Sequence, residues 1–255
     1  MKAFLKRAIV GSVALAILST VLIATGMWDQ TIVQPVNAMF GGAAAQKVDE
    51  AGRGAVADGQ ELAGKIKNGE FNVKDVLNDL GDIELPARFE RQPKYEREQF
   101  GDGWQSNLDG CSTRELVLQR DLTKVTMRSD RKCKVATGIL NPDPYTGKKI
   151  TFDSVKDPMD VQIDHIVPLS KAWQMGAWKW DSNKRVAFAN DMDELIASDG
   201  PENNRKSDKS PSQWLPKNEA FVCEYSARYV AVTKKYDLAL PQADQDALRE
   251  VLDQC

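Results

Sequence analysis

Asp164 and His165 stand side by side inside an apolar run, flanked by Ile163 and by Ile166-Val167. A carboxylate buried there without a partner would be costly. The pair makes chemical sense if Asp164 holds a cation and His165 faces a substrate. His165 is the only histidine in the chain. A general base for water needs a pKa near the working pH, which imidazole supplies. Alternation along a strand sends the two side chains to opposite faces. A bend at the strand end, helped by Pro168, is then needed to bring both near one site. A second polar cluster runs from Asn203 to Lys209. Such runs are commonly solvated loops. Read as chemistry, Asn203 offers a neutral oxygen to a hard metal and Lys206 a cation for phosphate.

The elements that must position these groups can be read around them. Val161–Val167 reads as a strand interrupted by Asp164 and His165. Short strands are also predicted at Val125–Met127, Lys134–Thr137 and Ile150–Phe152. Asp143-Pro144-Tyr145-Thr146-Gly147 reads as a turn, in which proline fixes φ and glycine permits a positive one. Helices are predicted at Arg114–Leu122, capped by Ser112 or Thr113, and at Ser170–Met175 and Lys184–Ala189. Two more follow at Ala220–Tyr236 and Pro241–Leu252, the first with Phe221, Tyr225, Tyr229 and Val232 three to four residues apart. Asp199–Pro211 reads as a polar loop. Trp104, Trp173, Trp178, Trp180 and Trp214 could stack on bases, but tryptophan more often packs in a core. Lys171, Lys179, Lys184 and Arg185 could form a local basic rim.

The N-terminal part differs. Lys2, Lys6 and Arg7 precede the 21 residues Ala8–Trp28, which carry no charge. Such a run is long enough to span a bilayer or to serve as an export signal. Val36-Asn37-Ala38 and Ala43-Ala44-Ala45 resemble cleavage sites. Residues 1–38 are therefore expected to be a signal peptide or membrane anchor, touching a membrane only if uncleaved. Residues 39–94 read as a partly helical linker with a short helix over residues 71–80 ended by Gly81. Residues 95–255 form the main domain.

Four cysteines, Cys111, Cys133, Cys223 and Cys255, suit disulfides in an exported chain. Of three possible pairings, the sequence-local one joins Cys111 to Cys133 and Cys223 to Cys255. With one histidine and no Cys-x-x-Cys pair, structural zinc is disfavoured. Beyond residue 38 the chain holds 31 basic and 36 acidic residues, a net charge of −5. Binding nucleic acid by overall charge is thereby excluded, and contact must come from a local site and a bound metal.

Asp164-His165-Ile166-Val167-Pro168-Leu169, followed about 35 residues later by Asn203-x-x-Lys206-Ser207-Asp208, resembles the HNH nuclease signature, including that of RNA-guided DNA nucleases. The chain is more similar still to small exported bacterial HNH proteins. It shares with them Gly110-Cys111-x-Thr113-Arg114, Asp121-Leu122, the Asp143–Gly147 turn, Ala172-Trp173 and Gly176-Ala177. Phe188-Ala189-Asn190-Asp191, Lys206–Lys209, Trp214-Leu215-Pro216 and Cys223-Glu224-Tyr225 complete the set, which covers about residues 95–255.

The resemblance implies an α+β fold with a ββα-metal core, surrounding helices and two disulfides. It implies hydrolysis of phosphodiester bonds in DNA, or RNA, by a monomer. His165 would activate water, and Asp164 and Asn203 would hold one divalent ion, Mg²⁺ or Mn²⁺. Arg114 and Lys206 are the expected phosphate contacts. Glu194 stands where the signature usually has asparagine, so it would orient His165, add a carboxylate to the metal, or mark weak activity. Asn190 is the nearest substitute for the orienting role. The alternative is an inactive exported domain of the same fold that binds nucleic acid or the cell envelope.

Overall fold

The computed structural model describes residues 71–86, 91–107 and 109–255. The expected export segment and most of the linker lie outside them. Among the described residues no helix is long and apolar enough to cross a membrane.

The fold is mixed α+β. Helix α1 (Val73–Asp82), capped by Asn72, packs against two C-terminal helices, α6 (Glu219–Lys235) and α7 (Gln242–Leu252). The helix expected within the linker and ended by Gly81 runs one residue further, to Asp82. Helix α2 (Thr113–Asp121) is capped by the Ser112 hydroxyl. Strands β1 (Thr123–Met127), β2 (Val135–Leu140) and β3 (Ile150–Asp153) form an antiparallel sheet in that order. Gly138 sits where Leu122 crosses the sheet; a Cβ there would come within 2.8 Å of the leucine side chain.

A second, two-stranded sheet pairs β4 (Val161–His165) with β5 (Leu195–Asp199), antiparallel from Val161↔Asp199 to His165↔Leu195. Helices α3 (Leu169–Gln174) and α4 (Ser182–Ala189) lie between these strands in sequence. Helix α5 (Gly200–Lys206) follows β5 directly and packs on both strands. It occupies half of the segment read as a loop. Asp199 caps it and Pro201 sits in its first turn, where a missing N–H costs nothing. The principal core joins the two sheets through Val117, Leu118, Val135, Phe152, Val161, Leu195 and Ala197.

Two disulfides join Cys111 to Cys133 and Cys223 to Cys255, closing loops of 22 and 32 residues. Each would contribute about 3 kcal/mol through the unfolded chain.

Candidate active site

Asp164 and His165 end strand β4, opposite Ile196 and Leu195. Beyond them the chain is held by Glu194, whose carbonyl accepts from Ile166 N at 2.8 Å. The carboxylate of Glu194 accepts from Val167 N at 3.0 and 3.2 Å. Pro168 then opens α3. The two side chains leave the strand on opposite faces, as alternation demands.

On the Asp164 face, two donors meet one carboxylate oxygen. Tyr145 donates its hydroxyl to Oδ2 at 2.5 Å, and the Lys206 ammonium lies 2.8 Å from the same atom. Tyr145 is delivered by the Asp143–Gly147 turn, which Asp143 closes through Thr146. Asp143 also accepts from Asp199 N at 2.7 Å, tying the turn to the start of α5. Lys206 is 0 % exposed and also donates to the His165 carbonyl at 2.8 Å. Expected at a phosphate, its ammonium instead bridges the site from below.

Asn203 lies one turn earlier on α5, on the same helix face as Lys206. Its Nδ2 donates to Gln162 Oε1 at 3.0 Å. Gln162 and Asp164 share a face of β4. Among the described residues nothing donates to Asp164 Oδ1, and fixing the Asn203 nitrogen leaves its carbonyl oxygen as the free end. No group of three or more His, Cys, Asp or Glu side chains able to hold a metal occurs among those residues. What the face offers is one carboxylate with neutral oxygens, a hard donor set suited to Mg²⁺ or Mn²⁺ that retains water or phosphate ligands.

On the other face, His165 Nε2 lies 2.9 Å from the Ala189 carbonyl. A carbonyl can only accept, so Nε2 carries the proton and Nδ1 keeps a free lone pair. The indole of Trp104 stacks on the imidazole, with centroids 5.7 Å apart and planes at 8°. His165 is only 7 % exposed. Burial, the largest cause, lowers its pKa to about 4, against the opposing pulls of the Ala189 hydrogen bond and Asp164. Arg97 and Lys206 add smaller downward pushes. The imidazole is therefore neutral at physiological pH. It forms the wall of a small cleft of about 40 Å³, lined also by Arg97, Phe100, Gly101, Gly103, Trp104 and Leu169.

The other residues singled out in the sequence lie around this centre. Glu194, fully buried, binds the backbone beyond His165 rather than its ring; burial pushes its carboxyl well above the usual range. Asn190 ends α4 and accepts from Gln105 N at 2.9 Å, anchoring the segment that carries Trp104. Arg114 pairs with Glu115 at 3.0 Å and lies over the Phe152 ring.

Residues 112–251 match the family described as GmrSD restriction endonucleases, C-terminal domain. The chain belongs to this family. A protein of Arthroderma benhamiae named "Uncharacterized secreted protein" is 38 % identical over 166 residues, 64 % of this chain and 77 % of that one. No solved structure matches the chain. The GmrSD C-terminal match contains Tyr145, Asp164, His165, Ala189, Asn203 and Lys206, whereas Arg97 and Trp104 precede it.

Three parts of the site, two inside the GmrSD C-terminal match and one before it, are not legible in the sequence. The group that orients His165 is the main-chain carbonyl of Ala189, which no residue type announces. In the sequence Tyr145 reads only as a turn residue; its burial against Asp164 gives it a second role. Arg97 belongs to no spacing pattern.

Proposed function

We propose that the chain is an endonuclease of the HNH type, hydrolysing phosphodiester bonds of DNA with a His165-activated water and one divalent ion. The observation that carries this reading is the bond from His165 Nε2 to the Ala189 carbonyl, which leaves Nδ1 as a free base. Family membership supports nuclease chemistry. The succession β4, β5, α5 supports a ββα-metal core, with Asp164 and Asn203 as the metal-facing pair.

In the reaction, Nδ1 takes a proton from water as the water oxygen bonds to phosphorus and the bond to the leaving oxygen breaks. Asp164 and Asn203 would hold a Mg²⁺ or Mn²⁺ ion, which would supply charge neutralisation at the phosphate and the leaving oxygen. Lys206 and Tyr145 hold Asp164 in place. The Ala189 carbonyl and Trp104 fix the plane of the base. Export is supported by the charge-free N-terminal run, by the two disulfides and by the name of the relative.

The test is nicking of plasmid DNA by the full chain with Mg²⁺, Mn²⁺ or EDTA, beside His165→Ala. Cleavage should require metal and fall 10²- to 10⁴-fold in the variant, while a gel shift shows DNA binding retained. Since the base works unprotonated and its pKa is about 4, kcat/KM should be flat from pH 5 to 7 and decline only as pH falls through about 4. Equal cleavage by the variant would refute the role of His165. No cleavage with any metal would favour a binding domain of the same fold.

A further inference from the structure

The cleft beside His165 has two walls of different origin. One is the strand end itself; the other is the strap from a short 3₁₀ helix (Arg97–Phe100) to Trp104. The strap is pinned at several points. Phe100 is buried between Trp173 and Phe188. Arg185 Nε donates to the Gln99 carbonyl at 2.9 Å, and Asn190 accepts from Gln105 N. Gly101, at φ 98°, lies so close to Val186 that a Cβ would come within 3.1 Å of it. Anchored at both ends, the strap fixes two groups around the imidazole. Trp104 covers the ring face, leaving the edge as the approach.

Arg97 lines the same cleft, is exposed, and makes no ion pair with the described residues. Its charge is felt at His165. The two cations expected at phosphate are differently placed: Lys206 is wholly buried on Asp164, and Arg114 is paired with Glu115. The cleft has room for roughly three waters, enough for a nucleophile and one phosphate oxygen at its mouth but not for a base.

The geometry points to Arg97 as the residue that grips the scissile phosphate of the substrate at the edge of His165. A guanidinium offers paired donors to two phosphate oxygens, which fixes orientation as well as charge. This placement rests on the phosphodiesterase reading above for its consequence in catalysis, but anion binding at the cleft stands apart from it. Glu98 and Asp102 are exposed on the same strap, so the grip on a free anion is weak and the probe must be used at millimolar concentrations.

The single histidine makes the test direct, because one imidazole gives one set of NMR signals. Inorganic phosphate, and separately a thymidine dinucleotide with one phosphodiester, are titrated into the ¹⁵N-histidine-labelled full chain in mild detergent without metal. A saturable shift of the His165 signals is expected for both. Arg97→Gln should raise the apparent Kd at least tenfold, Arg97→Lys should restore part of the affinity, and Arg128→Gln, outside the cleft, should change nothing. Near-UV circular dichroism checks that the variants are folded. An unchanged Kd in Arg97→Gln, or no saturable shift in the parent protein, overturns the assignment. Plasmid cleavage separates the two readings. If the parent protein cleaves and Arg97→Gln matches its kcat/KM, the role of Arg97 falls and the nuclease stands. If nothing cleaves but the shift still depends on Arg97, the anion site stands without the nuclease.

Discussion

Asp164 and His165 are neighbours in sequence with opposite surroundings. The Asp164 face is charged: a carboxylate, a buried ammonium and a phenol, each supporting the next. The His165 face is neutral and open at one edge, with an aromatic cover, a main-chain acceptor and one exposed cation. Had both side chains shared a face, the carboxylate would have favoured the charged imidazole. Here the pull of Asp164 is outweighed by burial. Strand alternation thus lets one strand end pair a carboxylate with the Lys206 ammonium and keep a base unprotonated.

The largest expected effect tests whether the charged face is the structurally demanding one. Lys206→Met strands the Asp164 carboxylate in a buried site, which should cost about 3–5 kcal/mol, or a fall of roughly 6–20 °C in Tm. A loss near zero in thermal denaturation would mean that Asp164 is far better hydrated than the structure implies.

Gly200→Ala comes next. A Cβ at this first residue of α5 would collide with the Met159 carbonyl in the turn before β4, so helix and turn must separate, at about 1–3 kcal/mol. Metal-dependent cleavage should fall with it, while the His165 imidazole signals stay in place because their contacts come from other elements. Movement of those signals would show that the two faces are coupled.

Glu194→Gln should have the smallest effect and the one most dependent on pH. Because the folded-state pKa of Glu194 is raised, its protonated form is favoured in the fold. That contribution is complete below about pH 4.5 and is lost as pH rises towards the raised value. Glutamine keeps an acceptor for Val167 N and carries no charge. The variant should match the parent in Tm at pH 4 and exceed it increasingly above pH 5. Equal Tm values across that range would place an ionised carboxylate at this position.

Much of this arrangement was legible in the residues, though unevenly. The polar pair inside an apolar strand revealed β4, and cysteine spacing revealed both disulfides. Strand β5 was not anticipated, because Ala197 and Ser198 are poor strand formers made buried by pairing with β4. Helix α5 hid for a related reason. Gly200-Pro201 reads as a turn, yet an Asp cap followed by proline is also how a helix begins. Asn203 suggests a metal ligand by residue type alone, with no sign of the helix that carries it. Trp104 was one tryptophan among several, distinguished only by the ring it faces. Contacts set by tertiary approach leave no spacing to read.

The acceptor that orients His165 is a peptide oxygen, which gives the site an unusual genetic profile. Substitutions at position 189 can change side-chain size without removing that oxygen, so a mutational scan would register only steric damage there. Sensitivity is displaced to whatever holds the peptide plane. Asn190, which ends the helix and reaches across to Gln105 N, is where drift in the sequence would first misalign a base it never touches.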